Sequence, residues 1–261
     1  MRVSLIITTY NRPDALLLVL RSIEEQRTLP YEVIIADDGS TNHTKEVVTS
    51  FQEKSDIRVI HSWQEDNGFR AAKSRNKAIS QSNSDYIVLI DGDVILHPEF
   101  INDHINNAQP SYFVQGSRVL LTENKTKQAL DQQKINFSLL SNGLQNRKNA
   151  IHSNSLSRLF SNKKNTLRGI KSCNLAFFKQ DFISVNGFNN EFEGWGREDS
   201  EFIMRLLNRG INRKNVRFNA IQFHLWHNKN TRNSLEKNEA ILQNTINNQI
   251  KWCDSGLKKF L

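Results

Sequence analysis

Five short clusters of polar residues carry the chemistry this chain could perform. Asp91-Gly92-Asp93 places two carboxylates at i and i+2 around a glycine. Oxygen pairs of this kind suit hard divalent cations that keep positions open for substrate phosphates. Asp37-Asp38-Gly39-Ser40 offers acidic acceptors that can hold a base or ribose, although Asp-Gly is also a turn dipeptide. Gly68, Arg70 and Lys73 stand at a helix start, where backbone amides and cations suit a phosphate. Glu198-Asp199 opens another helix after Gly194-Trp195-Gly196-Arg197. Acidic residues in a first turn complement the helix dipole, yet a carboxylate beside an apolar wall can also act as a general base. His224 and His227 flank Trp226. Spaced i, i+3 on a strand they face opposite ways, so one at most reaches a common metal unless the strand ends between them.

The elements that position these clusters follow from apolar periodicity. Residues 3–9, 32–36, 57–61 and 85–90 are short, β-branched runs that read as buried strands. Between them, helices are expected from Pro13-Asp14 to about residue 25, over 44–54 and over 69–80. Strand–helix alternation of this length predicts a parallel sheet covered by helices, with ligands beyond the carboxyl ends of the strands. Thr9-Tyr10-Asn11-Arg12, Asp37–Ser40, Asn67-Gly68 and Asp91–Asp93 all fall there. Further on, 172–178 reads as a strand, 199–209 as an amphipathic helix, 216–227 as a strand and 235–261 as helical. Residues 129–140 are a candidate helix inside a segment that otherwise reads as an insertion or mobile loop.

Composition narrows the classes. The chain has 261 residues, 38% of them hydrophobic, and a formal charge of +8. No segment reaches the roughly 20 apolar residues of a membrane-spanning helix. The start, MRVSLIITTYNRP, lacks the pattern of a signal peptide, so a cytoplasmic protein is expected, one that can work at the inner face of the cytoplasmic membrane. Two cysteines, Cys173 and Cys253, cannot build a disulfide framework. Residues 118–171 hold 11 basic and 2 acidic residues, leaving 24 basic and 25 acidic elsewhere, so this one segment carries the whole excess. Its only aromatics are Phe137 and Phe160, too few for nucleic-acid stacking, and no nucleic-acid partner is expected. An acceptor-side or membrane-facing role for the segment, toward a lipid-linked or anionic glycan, is the functional expectation, against a solvated insertion.

In order and spacing, TTYNRP, DDGS, DNGFRAAKSRNKA and LIDGDV resemble the family-2 glycosyltransferases over residues 1–115. The later stretch from SCNLAFF through NGFNNEFEGWGREDSEF to FHLWH is similar to the C-terminal part shared with galactosyltransferase-like enzymes. The resemblance implies an α/β GT-A fold: Rossmann-like, with a mostly parallel central sheet flanked by helices, a smaller acceptor-side subdomain and a helical C-terminus. It divides the chain into a nucleotide-sugar-binding part, 1–115, and an acceptor-binding and catalytic-base part, 116–261. It implies an inverting transfer of a hexose or N-acetylhexosamine from a UDP-sugar to a glycan or lipid-linked saccharide in bacterial surface polysaccharide or lipopolysaccharide synthesis, with Mn2+ or Mg2+. Donor contacts are implied for Thr9, Tyr10, Arg12, Asp38 or Asp37, Gly68, Arg70, Lys73, Asp91, Gly92, Trp195 and Gly196. Asp199 carries over as the base and Glu198 as a contact to donor or acceptor hydroxyls. Asp93 and His224 carry over as metal ligands, with Asp91 and His227 as the second choices. Arg197 stands where the GWGG form of the motif has its last glycine. Two other classes fit less well. A degenerate scaffold would not need Asp91, Asp93 and Asp199 together, and a nucleotidylyltransferase would show a Gly-rich phosphate loop near the N-terminus.

Overall fold

A computed structural model describes residues 1–228 and 232–261. Its strands are β1 (Val3–Thr9), β2 (Glu32–Asp37), β3 (Arg58–Trp63), β4 (Tyr86–Asp91), β5 (Val94–Leu96), β6 (Tyr112–Gln115), β7 (Ser117–Leu121), β8 (Leu144–Gln145), β9 (Asn174–Phe178), β10 (Asn212–Asn215) and β11 (Ile221–His224). Its helices are α1 (Pro13–Glu24), α2 (Asn42–Lys54), α3 (Ala71–Ser80), α4 (Phe100–Asn107), α5 (Glu123–Asp131), α6 (Asn154–Phe160), α7 (Lys179–Ser184), α8 (Glu198–Asn208) and α9 (Leu235–Asn247).

Seven strands form the main sheet in the order β10-β6-β9-β4-β1-β2-β3. All run parallel except β9, which pairs antiparallel with both β4 and β6. The sheet is therefore mostly parallel, and the reversed strand arrives from the second half of the chain. Residues before 116 supply five of its strands and residues after it supply β9 and β10. Both faces are covered, which is why β1 and β4 are near-continuous apolar runs. Leu5, Ile7, Val88 and Ile90 pack with Leu16, Val19 and Leu20 of α1 on one face. Ile6, Ile87 and Leu89 pack with Ala72 and Ile79 of α3 and Phe202 and Leu206 of α8 on the other.

A second sheet, β5-β11-β7-β8, sits over α1 and α5. It corrects the expectation of a mobile insertion over 118–171. Val119, Leu121, Ala129, Ile135 and Leu144 bury against Ile95, Ile221 and Phe223, so sparse apolar residues are enough to fold a polar stretch. The expected helix at 129–140 is also corrected. α5 starts at the Thr122 cap and ends at Asp131, where Gln133 turns left-handed at φ 49° and Lys134 N–H returns to the Ala129 carbonyl. The C-terminal stretch is not one helix: α9 stops at Asn247, where Gln249, at φ 49°, ends it in the same way, and a short 3-10 turn follows at Leu257–Phe260. The expected strand at 216–227 shortens to β11 because Phe218 and Ala220 take positive φ before it.

No helix among the described residues is long and apolar enough to cross a membrane.

Candidate active site

The carboxyl ends of β1, β2 and β4 bring the expected clusters together. Thr9 pairs with Asp37 across β1–β2 and Thr8 with Asp91 across β1–β4. Gly92 N–H donates to the Thr8 carbonyl at 2.7 Å. A Cβ on Gly92 would lie 2.9 Å from both Cβ and Oγ1 of Thr9, so only glycine lets the turn close against β1.

Asp37 and Asp38 differ in what they do. Asp37 is fully buried; it accepts from Ser40 N–H at 2.8 Å, and its other oxygen lies 2.8 Å from His61 Nε2. It braces the turn. Asp38 accepts from Gln64 Nε2 at 2.6 Å and from Arg70 N–H at 2.7 Å. Burial pushes its carboxyl up to about 6. Tyr10 is exposed and donates to Asp66 at 2.8 Å, while Arg12 pairs with Asp14. Gly68 is open, and the Arg70 side chain reaches Glu193 at 2.9 Å. With Gly194 N–H on the Phe69 carbonyl, this ties the 67–70 turn to the glycine-rich loop before α8. Lys73 does not join the group. It is exposed on the side of α3 opposite Arg75, since two helical residues separate them by about 200°.

Arg75 is the residue that sequence reasoning missed, and it stands at the centre. It is 3% exposed. Its guanidinium donates to Glu198 at 3.0 Å and to Thr8 Oγ1 at 3.0 Å, and lies 3.5 Å from Asp91. Glu198 is therefore tied to a buried cation. A signal was present: Arg75 falls on the stripe of Ala71, Ala72, Ala78 and Ile79, where 3.6-residue periodicity puts core residues, and a charge there needs partners.

Asp199 follows Glu198 in the first turn of α8 and accepts from Ser200 N–H at 2.6 Å. Burial, then the neighbouring Glu198 charge, pushes its carboxyl up to about 7, against the pull of Arg75 and Ser200. A base with its pKa near neutrality is suited to proton transfer. The loop before it carries Trp195, 41% exposed, whose ring faces the Arg232 guanidinium at 5.5 Å. Gly194 and Gly196 have positive φ, and Arg197 also adopts φ 75°, a glycine-like conformation held by its 2.5 Å pair with Glu239. Asn238 fixes the same loop by donating to the carbonyls of Glu193 and Gly196.

At the second carboxylate, β11 ends at His224, and Leu225 N–H turns to the Asp93 carbonyl at 2.9 Å. Because the strand stops between the two histidines, both reach Asp93. His224 Nε2 lies 3.6 Å from Oδ1, and His227 Nε2 lies 3.5 Å from Oδ2. One donor atom from each of the three side chains falls within 4.8 Å of the others. Asp93 Oδ1 is buried without a hydrogen-bond partner among the described residues. Burial, with Arg118 nearby, pushes His224 down to about 4, which keeps its ring neutral and its lone pair available. A buried carboxylate oxygen without a donor, flanked by two imidazoles, is a donor set that fits a divalent cation. Asp91 is instead turned to Arg75.

The chain belongs to glycosyl transferase family 2, whose profile matches residues 4–180. A second profile, the N-terminal domain of galactosyltransferase, matches 155–228 and so spans the glycine-rich loop, α8 and both histidines. A hyaluronan synthase of Pasteurella multocida is 29% identical over 79% of this chain, and a chondroitin synthase of Escherichia coli 26% identical over 85%. The chain spans only 23% and 34% of the length of these two relatives. Among solved structures, Staphylococcus aureus TarS 1–349 superposes with a TM-score of 0.66 at 16% identity, covering 100% of this chain and 68% of that one. The mannosyltransferase PcManGT from Pyrobaculum calidifontis, solved with GDP-Man and Mn2+, gives 0.60 at 18% identity, covering 87% of this chain and 58% of that one. These likenesses establish the GT-A fold.

Proposed function

We propose that this chain catalyses inverting transfer of a hexose or N-acetylhexosamine from a UDP-sugar to a glycan or lipid-linked saccharide. The observation that carries the reading is the convergence of Asp91 and Glu198 on one buried arginine, with the adjacent Asp199 pushed up to about 7. TarS has also been solved with UDP, which supports a uridine donor here. Relatives named as hyaluronan and chondroitin synthases support a role in bacterial surface polysaccharide synthesis.

The nucleoside lies against Thr9, Tyr10 and Asp38, with Arg12 and Arg70 at the diphosphate side. Asp93, His224 and His227 would hold Mn2+ or Mg2+. When bound, the cation neutralises charge on the departing diphosphate. Arg75 holds Asp91 and Glu198 in place, so that both can accept hydrogen bonds from sugar hydroxyls. Asp199 takes the proton of the acceptor hydroxyl. The acceptor oxygen attacks the anomeric carbon from the face opposite UDP; the new C–O bond forms as the bond to the diphosphate oxygen breaks. One displacement inverts the anomeric centre. Trp195 offers an apolar ring to a sugar face.

The reaction takes place in the cytoplasm, at the inner face of the membrane. Arg147, Lys148, Lys163 and Lys164 are exposed and suited to anionic headgroups. The test is UDP release over a panel of nucleotide sugars with Mn2+, expected to rise for one UDP-hexose or UDP-N-acetylhexosamine and to vanish in EDTA.

A further inference from the structure

The positive charge of the second half is not spread evenly over the surface. Arg118, Arg168, Lys171 and Arg213 line a single cavity of about 450 Å³, together with Gln115, Asn149 and other uncharged residues. No carboxylate among the described residues lines it. Among the described residues none of these four cations has an acidic partner, whereas the buried Arg75 and Arg205 each have one.

Arg213 is the clearest case. It is 5% exposed, its Nη1 donates to the carbonyls of Thr166 and Arg168 at 2.8 Å each, and its Nε is buried with no partner. Burial lowers the pKa of both Arg213 and Lys171. An unpaired buried cation is costly to keep, and one set among the half-buried Arg118 and Lys171 and the exposed Arg168 suits an anion that arrives from outside.

The place of the cavity decides which anion. The nucleoside clusters lie at β1 and β2, and the carboxylates Asp91 and Asp93 follow β4. The cations lie at the ends of β6, β7, β9 and β10, on the other side of β4 from β1 and β2. Asn174, which lines it, pairs with Ile90 directly before Asp91, so the cavity adjoins the end of β4 rather than the nucleoside clusters.

We propose that this cavity binds a carboxylate or phosphate group carried by the acceptor, so that the acceptor is an anionic glycan whose charged group is held beside the end of β4. The proposal rests on the transferase reading above. A donor diphosphate has the same anionic oxygens, and the test separates the two.

Glucuronate, glucose 6-phosphate and neutral glucose are titrated by calorimetry into the full chain with Mn2+ and UDP, and UDP is titrated separately. Glucuronate and glucose 6-phosphate are expected to bind at least tenfold more tightly than glucose. Lys171→Gln and Arg213→Gln are expected to remove most of that preference while leaving UDP affinity within twofold. If Arg213→Gln fails to fold, Arg168→Gln, at an exposed side chain, replaces it. Equal binding of charged and neutral sugars overturns the proposal. So does a loss of UDP affinity matching the loss of sugar-acid affinity, which would assign the cavity to the donor. If the wild type ignores UDP but still prefers the charged sugars, the transferase reading fails and the anion cavity stands.

Discussion

Arg75 Nη1 donates to Glu198 at 3.0 Å while its Nη2 lies 3.5 Å from Asp91, so one buried guanidinium joins the end of β4 to the first turn of α8. The three residues come from α3, α8 and the end of β4. Removing the cation leaves the buried Glu198 carboxylate without its partner. Arg75→Met is expected to cost about 3 kcal/mol of stability, read by urea denaturation. Arg75→Lys is expected to recover only part of it, because an ammonium cannot bridge both partners in the same plane.

Asp199 links activity to pH in a defined direction. Its carboxyl lies at about 7 in the folded chain against an ordinary 3.8, so the protonated form persists to near-neutral pH. Transfer is expected to rise with pH through about 7 and then level off. Stability runs the opposite way. A carboxyl raised by folding favours the fold at low pH, and that contribution is lost as pH rises through the folded value. Asp199→Asn is therefore expected to raise the melting temperature at pH 8 relative to wild type, with the gain shrinking toward pH 4.

The cation site is open to a direct measurement. Asp93 Oδ1 has no hydrogen-bond partner among the described residues, and both histidines stand within 3.6 Å of this carboxylate. Mn2+ added to wild type is expected to raise the melting temperature and lose its free-ion paramagnetic signal. His224→Ala and His227→Ala are each expected to weaken Mn2+ binding by about 10- to 100-fold, and Asp93→Asn by more, since losing a carboxylate removes charge as well as a donor. An unchanged Mn2+ titration in all three variants would remove the cation from this site.

Gly92 tests the packing that sets the two aspartates apart. Its added Cβ would sit 2.9 Å from Thr9 and 3.1 Å from the Thr8 carbonyl. Gly92→Ala is expected to destabilise the fold by about 1–3 kcal/mol. Donor affinity is expected to fall as well, because the Asp91–Asp93 turn moves away from β1.

Much of this arrangement is legible in the sequence. Val3–Thr9, Glu32–Asp37 and Tyr86–Asp91 are buried on both faces, so their apolar runs announce them, and the polar clusters follow by position. The polar second half is less legible. β10 reads Asn-Arg-Lys-Asn, with no apolar alternation; it is held by backbone pairing with β6 and by the irregular segment over Arg213. The direction of β9 is set by its neighbours rather than by its own residues. The spacing of His224 and His227 was ambiguous because it depends on where β11 stops, which Leu225 and Trp226 decide by bonding to Asp93 and Thr126. The aggregate charge of 118–171 was visible, but its partner Arg213 lies outside that segment and came into view only with the cavity.

The proposed transfer from a UDP-sugar turns on Asp199 as its base. The decisive measurement is UDP release with Mn2+ and acceptor, wild type against Asp199→Asn, with UDP affinity measured in parallel. Transfer by the variant is expected to fall by about 10²- to 10⁴-fold, with UDP affinity unchanged. Wild-type turnover in Asp199→Asn would contradict the account.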